Sequence, residues 1–494
     1  MNGAGVGSVT LEGLSGNDVF LVKVNASDSG KNASIATSGF TAGEHVRNVP
    51  AGVITIDGKT LTRYERQWQG PYPPAGPLAV SRSMASVYTE AKTVGDKNDF
   101  YVDISPDSEI FTGKKATLKV IGKHCKVWVI DEYFDDTSPA DGTDGKVNLS
   151  QLKELADKFD AIYPLETALL GYEYGGGPGG DGGADGDPSI QILVFNIDGD
   201  YIDSSPNGFT LGYFNPYDEY QKTAGNQYSN EAEIFYLDSE ALDRMQDTIY
   251  STLIHEFNHM INFNVKVIQP NSQGIEVWYT EMLSMLAEDV IGPLAGIPYE
   301  PGKANGNVIT DRIHRNWLQT YFGTSVMSWN NSLNDYAANY AFGAYLVRNF
   351  GGPQLLSDIA KSASSGGASL DESLRKINGQ RIDTKYALSR FGEALVYSGS
   401  QIPATALSFD KTVSATIAGN LYTFPRFDIW KMTYSSGGNN YAGPKIFLYE
   451  QESNSIPPYA VQLFSRQDWL GASGQLTIQM KNGNSAIDYY IMVR

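Results

Sequence analysis

Residues 239–267 read SEALDRMQDTIYSTLIHEFNHMINFNVKV, and His255-Glu256-Phe257-Asn258-His259 within them decide how the rest of the chain is read. Apolar Ile249, Leu253, Phe257, Met260 and Ile261 recur at helical spacing, while Asp247, Asn258, Asn262 and Lys266 supply polarity on other faces. The spacing predicts a helix that packs one side and presents the other to a cleft. On such a helix, residues four apart differ by about 40° in direction and rise about 6 Å along the axis. Both imidazoles therefore reach one metal ion, and zinc suits this pair. Glu256 lies on the adjoining side, where its carboxylate can take a proton from a metal-activated water. The chain has 5 histidines in 494 residues, and two of them fall in this motif.

Two nitrogens undersupply a catalytic zinc, which normally takes three protein ligands and leaves a position for water. The next helical stretch, EVWYTEMLSMLAEDVIG at 276–292, carries Glu281 beside an apolar face of Met282, Leu283, Met285 and Leu286. A short connection containing Pro270 and Gly274 lets it double back beside the first helix. Glu281 is the expected third ligand, with Glu276, Glu288 and Asp289 as fallbacks. Glu288 or Asp289 can instead hold the outer nitrogen of a metal-binding histidine. A three-histidine plan fails, because Asn262 and Val265 stand where it would need other residues. Hydrolysis also needs a donor for the developing oxyanion. In SLNDYAANYAFGAYLVRNFGG, 332–352, Asn334 or Asp335 reads as a cap, and Gly351 and Gly352 as a stop. Tyr336, Tyr340 and Ala344 share a face of that helix, and Tyr340 is the expected donor, ahead of Tyr336 and His314. The simpler reading of His314, in VITDRIHRNWLQTYF, is a helix-surface histidine.

Composition narrows the partners. The formal charge of −19 repels phosphate backbones and anionic lipid surfaces, so nucleic acid is not an expected partner. Cys125 is the only cysteine, which excludes an intrachain disulfide and a thiolate metal cluster; it reads as a buried, inert thiol. No stretch has the length and apolarity of a membrane span. The Gly-rich start leaves room for a removed signal or lipid-anchoring segment, and the composition points to bacterial export.

The expected organisation is multidomain α+β. Residues 1–120 form an N-terminal all-β region of runs such as DVFLVKVNA and KATLKVIG, interrupted by the loop-like QWQGPYPPAGP at 67–77. Residues 121–395 form the mixed core, with a helix in VNLSQLKELADKFDAIYPLETALLG and a strand in IQILVFNI. EAEIFYLDS, 231–239, is placed at the edge of a substrate cleft. Residues 396–494 return to short strands and predict a β-sandwich. The tract YEYGGGPGGDGGADGDPS, 172–189, reads as a surface loop. Its Asp181, Asp185 and Asp187, with Asp198, Asp200 and Asp203 beyond, suit either calcium or ordinary solvated turns; the spacing is not that of an EF-hand.

The two motif stretches make the chain resemble the gluzincin clan of zinc metallopeptidases, and within it the hyicolysin family of bacterial secreted or surface peptidases. The resemblance rests on 255–259 and on Trp278 to Asp289, with 340–346 and 349–352 similar to the family's following helix. It covers about residues 120 to 395. It implies a zincin-like core, zinc on His255, His259 and Glu281, Glu256 as the base, and hydrolysis of peptide bonds in extracellular proteins by a secreted or surface-bound monomer. The flanking β-regions would contact cell envelope or host matrix. One departure is Thr280, where the clan often has an asparagine that orients a zinc histidine. A threonine hydroxyl is shorter, so Asn258, Ser284 or Glu288 is expected to share that work. An aminopeptidase and a catalytically latent adhesion protein on the same fold are the rival readings.

Overall fold

The computed structural model describes residues 6–11, 18–38, 54–56, 59–61, 63–64, 92–103, 111–139, 144–197, 209–272, 274–298, 313–314, 316–399, 405–436, 439–448, 455–465, 476–482 and 487–494. The loop at 67–77 and Asp198, Asp200 and Asp203 lie outside them.

A six-stranded mixed sheet supports the motif helix. Its strands are β1 (Lys97–Asp103), β2 (Phe111–Ile121), β3 (Cys125–Ile130), β4 (Ile190–Phe195), β5 (Gly212–Phe214) and β6 (Ile234–Asp238), in the order β5-β6-β4-β3-β2-β1. β4 runs parallel to β3 and β6, while β5 is antiparallel to β6 and forms one edge. Both faces are covered, which is why the central strands read as continuous apolar runs. Val127, Val129, Ile192, Val194, Phe235 and Leu237 face the helices. Trp128, Ile130, Leu193, Phe195 and Tyr236 face a second, smaller core with Phe100 and Val102, as the alternation of a strand requires. The segment expected at the cleft edge, 231–239, sits one position inside it. The short β5, too brief to register as a strand in the sequence, takes the edge instead.

Helices α1 (Leu149–Leu170), α2 (Ser239–Arg244), α3 (Gln246–Phe263), α4 (Val277–Ile291), α5 (Leu333–Phe350), α6 (Gly352–Lys361), α7 (Gly366–Asn378) and α8 (Thr384–Tyr397) build the rest of the core. α1 begins at a capping box in which Asn148 and Gln151 satisfy each other's backbone amides. α5 begins two or three residues before the expected cap: Ser332 is the N-cap, and Asp335 completes the box from the first turn. Gly351, at φ 149°, ends α5 as the sequence predicts, and α6 follows at once. α3 departs from its expected amphipathic role. It is buried from Ile249 through Asn258 and again from Met260, because α4 covers the face that the pattern left for a cleft, while α1 packs on the apolar side at Phe257. Each large apolar side chain so enclosed contributes roughly 1.5–3 kcal/mol.

The two ends of the chain share sheets. Val19–Asn25 lies between Ala460–Ser465 and Ile487–Val493, and Leu476–Asn482 lies between Val6–Leu11 and Lys31–Ser38. The first of these sheets packs against α8. The hairpin Val413–Ile417/Asn420–Phe424 packs on α6, and its Tyr422 hydroxyl donates to the Leu165 carbonyl at 2.7 Å. Position 120, where composition shifts, lies inside β2, which joins β1 and β3 in the central sheet, and beyond position 396 the hairpin 413–424 packs on the helices. Strand pairing between distant segments leaves no local mark in sequence. Burial pushes the Cys125 thiol up, in keeping with an inert sulfur.

α4 and α5 approach closely at Gly343, where an added Cβ would lie 2.7 Å from Met282 Cγ and 2.9 Å from Leu286 Cδ1. Gly343→Val forces these helices apart beside Glu281, and the expected cost is about 1–3 kcal/mol, read as a lower urea midpoint at unchanged m-value.

Candidate metal centre

α3 carries His255, Glu256 and His259 and continues into a π-helical turn at Asn264–Ile268. The chain then reverses: Ser272 donates from its backbone N–H to the Val267 carbonyl at 3.0 Å and from its hydroxyl to the Lys266 carbonyl at 2.7 Å. α4 therefore returns alongside α3, as the Pro270–Gly274 connection predicts, and carries Glu281 to the two histidines.

His255 Nε2 lies 3.2 Å from one Glu281 carboxylate oxygen, and His259 Nε2 lies 3.0 Å from the other. One ligand atom from each of the three residues falls within 4.8 Å of the others. His255, Glu256 and Glu281 are fully buried, and the His259 side chain is 13% exposed.

The outer ring nitrogens are held from behind. His255 Nδ1 is 2.7 Å from a Glu288 oxygen, and the other Glu288 oxygen accepts from the Ser251 hydroxyl. A carboxylate can only accept, so His255 donates from Nδ1 and keeps its lone pair on Nε2, toward Glu281. His259 Nδ1 is 3.0 Å from the Thr280 hydroxyl and 3.4 Å from the Ser284 hydroxyl. Asn262 Nδ2 donates to Thr280 at 3.3 Å and to Asn258 Oδ1 at 2.7 Å, and Ser284 donates to the same Asn258 oxygen at 3.1 Å.

This donor set fits a cation. With Nδ1 donating, the Nε2 lone pair faces carboxylate oxygen, acceptor against acceptor, and only a positive charge between them relieves the contact. Burial pushes the Glu281 carboxyl up, whereas positive charge at His259 and then at His255 outweighs it and holds the carboxyl at about 2, so the site keeps its carboxylate ionised when positive charge, on the rings or on a metal in their place, stands beside it. Two nitrogens and one carboxylate are borderline ligands of the kind zinc takes, and the absence of thiolate or a carbonyl cage disfavours copper(I) and calcium.

The sequence-predicted residues are thus sorted. His255, His259 and Glu281 converge, and Glu288 takes the outer nitrogen of His255. Thr280 itself reaches His259, despite its short side chain, because α4 lies close enough to α3. Asp289 turns away to accept from the Tyr340 hydroxyl at 2.8 Å and from Arg348 Nη2 at 2.9 Å. Tyr340 is therefore committed to a buried ion pair. Tyr336 is buried against the Trp329 ring, 4.8 Å between centroids. His314 is fully buried and not on a helix surface. Glu276, the residue before α4, bonds Ser365 at 3.2 Å. Sequence reasoning does not single out Glu166 of α1, which is fully buried behind His255. Burial pushes its carboxyl well above the ordinary range, opposed by His255 and Asn258. Its only signal was an acid on the apolar face of a helix.

Thr280→Val removes the group behind His259 Nδ1 while keeping its shape. Metal affinity, read by chelator competition, is expected to fall roughly 10–100-fold, and Thr280→Ser to stay near wild type.

Residues 136–435 match the model of the family described as Peptidase M30, which is more than half of the 494-residue chain. The Neutral metalloprotease ShpI of Staphylococcus hyicus is 28% identical over 288 residues. The match covers 56% of this chain and 56% of that protein, so the chain spans about half the length of the curated relative it matches. Both α3 and α4, with all three converging residues, lie inside the family match, and the chain belongs to the Peptidase M30 family.

Proposed function

We propose that the protein is a zinc-dependent endopeptidase in which His255, His259 and Glu281 hold the metal and Glu256 moves the proton. The observation that carries this reading is the convergence of the two Nε2 atoms on one buried carboxylate, with both Nδ1 atoms tied from behind. Membership of the M30 family and similarity to a protein described as a neutral metalloprotease support it.

Zinc, when bound, would lower the pKa of a water and polarise the scissile carbonyl. Glu256, one residue beyond His255 and removed from bulk water, accepts the proton as the water oxygen bonds to the carbonyl carbon. It then passes that proton to the departing amine as the C–N bond breaks, so no acyl-enzyme forms. Glu288 and Thr280 keep the two imidazoles in one tautomer and orientation. For Tyr340, the bond to Asp289 favours positioning of the α4–α5 contact over oxyanion donation.

The proposed substrates are extracellular proteins, and the proposed setting is secretion or attachment at a bacterial surface; the similar neutral metalloprotease is that of a bacterium, Staphylococcus hyicus. Among the described residues no helix is long and apolar enough to cross a membrane. We read the paired terminal strands as a β-module that contacts cell envelope or host matrix, and the protein as a monomer. Calcium is a second proposed cation, for which the aspartates of the 172–189 tract are the candidates.

Glu256→Gln is expected to keep one zinc per chain while cleavage of an internally quenched peptide blocked at both ends falls by about 10²–10⁴. Cleavage only of peptides with a free amino terminus would instead make the protein an aminopeptidase. Tyr340→Phe is expected to lower kcat less than about 10-fold, whereas loss of an oxyanion donor costs about 10²–10³.

A further inference from the structure

Lys266 is 1% exposed, on the π-helical turn that continues the motif helix, and the zinc chemistry gives it no part. Its ammonium donates to three carbonyls: Ile359 at 2.6 Å, Ser362 at 2.5 Å and Ser364 at 3.1 Å. Among the described residues no carboxylate makes an ion pair with it. Glu372 accepts instead from the Ser362 and Ser364 hydroxyls, at 3.0 and 2.8 Å. A buried ammonium bonded only to neutral oxygens is costly, and burial pushes this one down to about 7, against the opposing charge of Glu372. A methionine would fill the same space without that cost, so what the ammonium adds is its three bonds.

Those bonds fall at the end of a helix. Ile359 lies in the last turn of α6, whose final carbonyls have no partner within the helix and carry its negative pole. α6 is itself fixed to α1: Ser357 Oγ donates to the Leu169 carbonyl at 2.6 Å, and Lys361 Nζ to the Ala168 carbonyl at 2.7 Å. The Ile359 carbonyl also accepts from the Tyr279 hydroxyl at 3.2 Å and from Ser369 Oγ of α7 at 3.1 Å. Tyr279 is fully buried on α4 and immediately precedes Thr280 and Glu281. One carbonyl oxygen thus receives a donor from the continuation of α3 and a donor from α4, the two helices that supply the metal ligands. The start of α4 is tied to the same loop, where Ser365 donates to Glu276 at 3.2 Å.

We propose that Lys266 is a positioning residue of the metal centre: with Tyr279, and through the Ile359 carbonyl, it sets the spacing of α3 and α4 that brings Glu281 to His255 and His259. This role rests on the zinc reading, because Lys266 touches neither metal nor substrate. The centre leaves little room for drift, with the Glu281 oxygens 3.2 and 3.0 Å from the two Nε2 atoms and His259 Nδ1 3.0 Å from the Thr280 hydroxyl. Without the ammonium the π-helical turn is released from the end of α6, while α4 keeps its hold through Tyr279. The two helices then shift against each other at the ligands.

The test compares the whole chain with Lys266→Met, which keeps the bulk of the side chain and removes its donors. Phe195→Leu, in the smaller core on the far face of the sheet, serves as a control for stability alone. Zinc affinity is read by chelator competition, and the visible absorption of the cobalt(II)-loaded protein reports ligand geometry, both well below the melting midpoint. K266M is expected to bind zinc about 10-fold more weakly than wild type, with an altered cobalt spectrum. Y279F is expected to change both in the same direction, and F195L to melt lower while leaving both unchanged. A folded K266M protein with wild-type affinity or a wild-type spectrum, however low its midpoint, would overturn the proposal. An F195L protein that loses as much zinc affinity would overturn it too, by making the effect one of general destabilisation. If K266M does not fold, Y279F decides by the same readouts: weaker zinc with an altered spectrum supports the proposal, and either wild-type value sinks it. A wild-type chain that holds no zinc after reconstitution sinks the zinc reading and this role with it, whereas retained zinc with unresponsive variants removes this role alone.

Discussion

A carboxylate with no solvent exposure, facing the Nε2 atoms of two imidazoles, is the contact on which the centre of this protein depends. The tautomer of His255 is set from behind by Glu288, and the Thr280 and Ser284 hydroxyls hold the ring of His259 in place. Such an arrangement is repulsive by itself and attractive around a cation, so the fold stores at this place a demand for metal. The M30 assignment gives that demand a chemical context, and zinc hydrolysis is the reading it supports best.

The demand is met by packing. α3 has to be central to be rigid, and it is walled in by α1, the sheet and α4. α4 has to lie near enough for Glu281 to reach both rings and for a threonine to do the work of a longer side chain. Its other face is fixed by Gly343 of α5 and by the buried Asp289–Arg348 ion pair, whose Arg348 also donates to the Pro425 carbonyl at 2.8 Å. Segments far apart in sequence thus press on one helix, and the 413–424 hairpin belongs to this construction although its composition reads as part of a terminal β-region.

The sequence made the three converging residues legible because each sits on a helix whose period fixes its direction. His255 and His259 share a face by spacing alone, and the Pro270–Gly274 reversal was enough to bring Glu281 back. Glu288 was legible as a partner for an outer nitrogen. Tyr340 was not, because what its hydroxyl meets depends on how α5 crosses α4, and no periodicity encodes a crossing. The same limit hid the burial of His314, the edge position of the three-residue β5, and the pairing of Val19–Asn25 with strands beyond 460.

The most direct test of the central proposal is X-ray absorption at the zinc edge on the purified wild-type protein. The account predicts one zinc per chain with four light ligands, two of them showing the multiple scattering of imidazole. A protein that retains no zinc after reconstitution, or a zinc shell without imidazole, would contradict it.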